Sequence, residues 1–238
     1  MNNNNLLIRY DQDLRLRMIY PDARKEITDD VVRYVRRAPG TNQVAFTFAH
    51  EGELERVIAQ QLDYFVPMRQ PVTWRVYAHD HLPGLGEKLV ERDFLPEAAP
   101  REVLVLDVRQ APPDPLAPAP EEVRPLTTQQ VLRQALGVVD NSLLRERLSL
   151  HFSVPGYLSV YAAYRHDRPD SVAWTYFPHG QFAALSAGSA SNVPLLAARV
   201  REVRERGYPY ALVEADPRDR PVFEAAGFRP LTTLHEYR

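Results

Sequence analysis

Residues 214–238 read EADPRDRPVFEAAGFRPLTTLHEYR. RPVFEAAGF (220–228) predicts a short helix stopped by Gly227, and RPLTTLHEY (229–237) predicts a closing strand. Just upstream, PYALVEAD (209–216) is an apolar run of strand length, which reads as a buried strand. Before it, NVPLLAARVREVRER (192–206) has apolar residues at helical spacing, Asn192 placed to cap, Pro194 in the first turn and Gly207 just past the end. The chain therefore ends strand, helix, strand.

Further outward, YLSVYAAY (157–164), SVAWTYF (171–177) and QFAALSA (181–187) are strand-like. The first two are separated by RHDRPD, whose Asp and Pro suit a hairpin turn. Two helices precede them: EVRPLTTQQVLRQAL (122–136), with Thr127 or Thr128 as its cap, and NSLLRERLSLHF (141–152). APPDPLAPAP (111–120) is too rich in proline for a helix or a central strand and reads as a semi-rigid linker. It divides the chain into domains 1–110 and 121–238. The first half ends as the second does: strand VAFTFA, helix ELERVIAQQLDYF, strand VTWRVYAHD, helix LPGLGEKLVERDF, strand EVLVLDV. Setting Phe94 against Phe228 brings VTWRVYAHD opposite YPYALVEAD with a two-residue offset, the pattern of an internal duplication.

The 238 residues are 45% hydrophobic and 25% charged, with net charge −2, so charge nominates neither nucleic acid nor an anionic membrane as partner. The absence of cysteine removes disulfides, thiolate metal sites and cysteine nucleophiles. MNNNNLLIRY has no positively charged start and no long apolar run, so a cytoplasmic protein with a disordered Asn2–Asn5 tail is expected. His79 and His81 lack a third metal ligand at any telling spacing, and no metal is expected. Gly84 and Gly86 read as a lead into a helix. Arg33, Arg36 and Arg37, offset by Asp29 and Asp30, read as a solvated face.

From residue 121 onward this order of elements resembles the GNAT acetyltransferase superfamily, most specifically in F-E-A-A-G-F (223–228), where many members have Y-E-K-L-G-F. The resemblance implies an α/β (α+β) fold of two GNAT-like domains, each a mixed, mostly antiparallel sheet flanked by helices, with the first domain degenerate. It also implies acetyl-CoA as cosubstrate, N-acetylation of a small-molecule or peptide amine, and the option of a homodimer. Members grip the pyrophosphate with R/Q-x-x-G-x-G/A at a helix N-terminus, where backbone N–H groups and the helix dipole favour an anion. Here that match falls on Leu185, Ser186, Gly188, Ser189 and Ala190, continuing through Ser191, Asn192 and Val193, with Leu185 at the Arg/Gln position and no cation until Arg199.

The family's tyrosine acid corresponds to Phe223, and its common asparagine to Asp216. Glu214 and Asp216 alternate at a strand end, so either is a candidate base, with capping of the next helix as the other role of Asp216. Tyr237 is the nominated replacement acid, and Tyr176 and His179 are further candidates. Phe223→Tyr is expected to be tolerated, its hydroxyl projecting toward a cleft. Two functions follow from these readings: an N-acyltransferase of low activity, or a catalytically inactive tandem protein that binds a ligand or dimerises.

Overall fold

A computed structural model describes residues 3–37, 39–110, 122–188 and 192–238. The fold is mixed α+β, with mostly antiparallel sheets flanked by helices. It divides into two compact units, Met1–Arg101 with Thr232–Arg238, and Glu102–Leu231. The units thus do not part at the proline-rich stretch, which lies outside the described residues. The strand before that stretch belongs to unit 2, and most of the last strand belongs to unit 1.

Unit 1 opens with helix α1 (Asn3–Tyr10), which runs into a π-helical turn, Asp11–Leu16. The expected disordered tail is therefore helical from Asn3, because Leu6 and Tyr10 recur four apart and are both buried. Strands β1 (Ala23–Ile27), β2 (Val31–Arg36) and β3 (Asn42–Thr47) pair antiparallel in turn. Helix α2 (Leu54–Phe65) then crosses over to β4 (Val72–Tyr77), which lies parallel to β3. Gly84, at φ 82°, leads into α3 (Leu85–Val90), as the sequence implied. β4 also pairs antiparallel with residues 234–237 of the last strand.

Arg33 and Arg36 do not form a solvated face. Both sit on β2 with their side chains nearly buried. Arg33 pairs with Glu26 (2.7 Å) and covers the Tyr64 ring, and Arg36 pairs with Asp22 (3.0 Å). Asp30 instead meets Arg56 (2.8 Å). A long arginine can bury its stem and ring-stacking face once a carboxylate neutralises its head.

Unit 2 takes its strands in the order β5-β10-β9-β8-β7-β6. β5 (Arg101–Asp107) and β6 (Val123–Pro125) flank the undescribed stretch. α4 (Gln129–Ala135) is capped by Thr128, whose hydroxyl accepts from the Val131 N–H, and α5 (Ser142–Phe152) by Asn141. β7 (Leu158–Arg165) and β8 (Arg168–Tyr176) form the hairpin. Its turn is made by His166 and Asp167, both at positive φ, while Pro169 lies in the strand, beside a register shift. β9 (Phe182–Leu185), α6 (Val193–Glu205) and β10 (Tyr210–Ala215) form a parallel crossover, the same connection that joins β3 to β4 in unit 1. α7 (Arg220–Ala225) and β11 (Arg229–Tyr237) end the chain. The core of unit 2 gathers Leu104, Leu196, Val200, Val213, Phe223 and Phe228.

Candidate functional site

The parallel pair β9–β10 holds from Phe182↔Tyr210 to Leu185↔Val213 and stops there. Beyond that point the two strands keep different company. Ser186 turns to β8, its N–H donating to the Trp174 carbonyl (2.9 Å) and its Oγ accepting from the Trp174 N–H (3.1 Å). Glu214 and Ala215 continue instead along β5, opposite Val103 and Glu102. The parallel pairing is not continued at residues 186 and 214.

The crossover from β9 to β10 runs through α6. Asn192 caps it, with Oδ1 accepting from the Leu195 N–H (3.1 Å) and Nδ2 donating to Ser171 Oγ (3.1 Å). Its carbonyl accepts from the Leu196 N–H (3.2 Å). Pro194 has no N–H, so Val193 carries the remaining donor of the first turn; its side chain is exposed. Leu185 is buried and packs into the core, so its side chain cannot act as the family's arginine does. Gly188 is exposed, and among the described residues a Cβ there would meet only the far edge of Trp174, at 3.9 Å. Ser189, Ala190 and Ser191 lie outside the described residues.

The cation that the sequence placed too far downstream is Arg199, which α6 brings back under this junction. Nη1 donates to the Ser186 carbonyl (2.8 Å), Ser186 Oγ (3.2 Å) and the Trp174 carbonyl (3.3 Å), and Nε donates to the Leu195 carbonyl (3.3 Å). Nη2 has no hydrogen-bond partner among the described residues. The side chain is 0% exposed, and burial pushes the guanidinium down to about 9.

The other sequence-nominated residues are spread more widely. Glu214 is half-buried near the end of β10, one residue past the last β9–β10 pair. Asp216 is exposed and does not cap α7 with its side chain. The cap position is Asp219, and Asp216 contributes only its carbonyl, which accepts from the N–H groups of Asp219 (2.9 Å) and Arg220 (3.2 Å). Pro221, not Pro217, occupies the first helical turn. Phe223 faces no cleft: it is fully buried edge-to-face with Phe228, so the expectation that a hydroxyl there would project outward is corrected. Tyr237 belongs to unit 1, where its ring packs with the core and its phenol abuts Gly86. Burial, followed by the Glu87 charge, raises its pKa.

Sequence reasoning missed His151. On the last turn of α5 it is 1% exposed, its Nδ1 lies 3.1 Å from the Tyr176 hydroxyl, and Tyr157 packs edge-on to its ring. Tyr176 pairs with Ala184 of β9, which brings this His–Tyr pair beside that strand. Nothing in the local sequence marks it, since the two residues are 25 positions apart.

His79 likewise belongs to a network not visible in sequence. Its Nε2 lies 3.0 Å from Asp11 Oδ1 and its Nδ1 2.8 Å from Thr232 Oγ1. Beside it Arg15 grips Asp80 through both carboxylate oxygens (2.6 and 3.0 Å) and Asp11 (2.8 Å). Among the described residues, no group of three or more His, Asp or Glu is arranged to hold a metal ion, and no helix is long and apolar enough to cross a membrane.

No protein-family model and no curated protein matches the sequence. Solved structures do. The GCN5-related N-acetyltransferase from Kribbella flavida superposes with a TM-score of 0.67 at 11% identity, covering 99% of this chain and 93% of that one. A functionally unknown conserved protein from Staphylococcus epidermidis ATCC 12228 gives 0.65 at 13% identity, over 92% and 94%. A tandem GNAT protein from the clavulanic acid biosynthesis pathway, solved without AcCoA, gives 0.61 at 13% identity, over 93% and 84%. The chain has the GNAT acetyltransferase fold, and at these identities the likeness is one of fold.

Proposed function

We propose that unit 2 binds acetyl-CoA and transfers its acetyl group to an amine, with unit 1 a degenerate copy of the same fold. The observation that carries this reading is the end of the parallel β9–β10 pairing at Leu185 and Val213, in the crossover that runs through α6. An extended pantetheine arm can run along the strands where this pairing ends, and the N-terminus of α6 suits the pyrophosphate. Bringing amine and thioester together is the main part of such catalysis. Glu214 is the candidate base for the substrate ammonium, and the His151–Tyr176 pair a second proton-handling group.

The test is calorimetric titration with CoA, followed by a thiol-release assay with a panel of amines. Val193→Pro removes one backbone N–H from the first turn at a position where proline suits a helix. It should weaken CoA binding by about tenfold, or ~1.4 kcal/mol, without lowering stability. Unchanged affinity would place the site elsewhere.

A catalytically inactive binding or dimerising protein is the second reading, favoured by Phe223. The side chain at the family's acid position is enclosed in the core and lacks a hydroxyl. Saturable CoA binding without transfer to any amine would select it.

A further inference from the structure

We propose that Asp11, His79 and Thr232 of unit 1 form a second reactive site, in which the Thr232 hydroxyl is a nucleophile that takes up small acyl groups from activated esters. The site stands apart from the acetyl-CoA reading of unit 2 and does not depend on it.

Three elements place the groups. Thr232 lies on β11, where the neighbouring Thr233 carbonyl accepts from the Ala78 N–H (3.0 Å) and fixes the strand beside the turn that follows β4. His79 stands in that turn. Asp80 holds the turn closed: its Oδ2 accepts from the Tyr77 N–H (2.8 Å), and its N–H donates to the Tyr77 carbonyl (2.9 Å). Asp11 begins the π-helical turn, an irregular element of the kind that often marks a functional position.

His79 links the other two, with Nδ1 2.8 Å from Thr232 Oγ1 and Nε2 3.0 Å from Asp11 Oδ1. An ionised carboxylate only accepts, so in the neutral ring Nε2 carries the hydrogen and Nδ1 turns its lone pair to the hydroxyl. Thr232 Oγ1 therefore donates to a base, the arrangement that activates a hydroxyl nucleophile. Among the described residues no other hydrogen bond engages that oxygen. Asp11 is a positioning residue that orients the imidazole. Arg15 fixes it in turn: Nη1 donates to Asp11 (2.8 Å), the guanidinium grips Asp80 (2.6 and 3.0 Å), and it lies over the Phe46 and Tyr77 rings at 4.3 and 4.0 Å. Such support holds a reactive group in one geometry before substrate arrives. The side chains of His79 and Asp11 are 13% and 20% exposed and Thr232 is half-buried, which restricts the site to small acyl groups.

In the reaction, Thr232 Oγ1 bonds to the acyl carbonyl carbon as its proton passes to His79 Nδ1. The bond from that carbon to the leaving alcohol or phenol then breaks, His79 returns the proton to the departing oxygen, and an O-acyl threonine remains. Water repeats the sequence, which releases the carboxylic acid and restores the hydroxyl.

The experiment mixes the full chain with p-nitrophenyl acetate, follows nitrophenol release, and maps the acid-quenched protein by peptide mass spectrometry. The wild type should show a burst of nitrophenol and carry an acetyl group on Thr232. Thr232→Val, which keeps the shape, should lose both, and Thr232→Ser should retain them. His79→Gln should slow acylation by about 10²–10⁴-fold. Asp11→Asn should lower kcat with KM unchanged, whereas a residue that only shapes the surroundings would move KM. A wild type without release above the buffer rate, release that Thr232→Val leaves unchanged, or acetyl groups only on Lys25 or Lys88 overturns the proposal. Should Thr232→Val not fold, the position of the acetyl group on the wild type decides.

Discussion

At Phe223 a single oxygen atom separates the sequence of this chain from a family pattern, and the packing shows what that atom would cost. The ring is fully buried against Phe228, so Phe223→Tyr would place a hydroxyl in closed apolar surroundings. An unsatisfied buried hydroxyl costs ~1–3 kcal/mol, and chemical denaturation should show a loss of that size. An unshifted midpoint would mean that the ring has room on the cleft side after all. Tyr237 offers a second test. A methyl group added at Gly86 would collide with its phenol oxygen, so Gly86→Ala should destabilise by ~1–3 kcal/mol through overpacking. Tyr237→Phe in the same chain should recover much of the loss. If it does not, the phenol is not what requires glycine at this position.

Among the elements, α6 connects local sequence most directly to the candidate site. Its start was legible because Asn192, Pro194 and Gly207 each have a conformational reason for their positions, and the structure places all three as expected. Asn192→Ala removes the cap and should cost ~1 kcal/mol in thermal or chemical unfolding, whereas Asn192→Asp, which keeps the acceptor, should cost less. Equal losses would assign the effect to the bond with Ser171. The start of α7 at Arg220 was legible, but Asp216 does not take the capping role, because Asp216-Pro217 and Asp219 with Pro221 offer the same local signal twice. The choice fell to the later pair, since the Asp216 carbonyl is used by the turn that precedes the helix. α1 was missed for a different reason. Its asparagines are poor helix formers, and only the burial of Leu6 and Tyr10 holds it.

On the scale of the molecule, the two compact units exchange chain ends. β5 pairs with β10 in unit 2, and residues 234–237 pair with β4 in unit 1. A chain ending at Leu231 should therefore lose stability in unit 1, with faster hydrogen exchange in β4, although the deleted residues follow the second half in sequence. Unchanged exchange there would deny the strand its part in unit 1. Acid sensitivity should also arise in unit 1. Burial alone would raise the pKa of Asp11, but hydrogen bonding from His79 and the charge of Arg15 outweigh it, and the net shift is downward. Burial likewise opposes a net downward shift of Glu26, which is set by its bonds from Arg33 and Tyr64. A carboxyl depressed in the folded state contributes stability that is fully present above its unfolded pKa, about 4, and is lost as pH falls through the folded value. Stability should be flat near neutrality and fall below about pH 4. Asp11→Asn should be less stable at neutral pH and show a shallower acid limb. An identical acid limb would remove Asp11 from this role.

The sequence by itself determined the elements whose signals are local: caps, turns, the apolar period of α6 and the buried run of β10. Those signals lie within one or two turns of backbone, and from them the order of elements and the resemblance to GNAT acetyltransferases followed. Only the tertiary structure decided which strand each end joins, that Arg33 and Arg36 are paired and nearly buried, that His151 meets Tyr176, and that Arg199 comes to lie beneath the junction it follows. These are meetings of residues far apart in the chain or on successive elements. Their partners are chosen by sheet register and by the compensation of buried charge, neither of which leaves a period or a motif in the sequence.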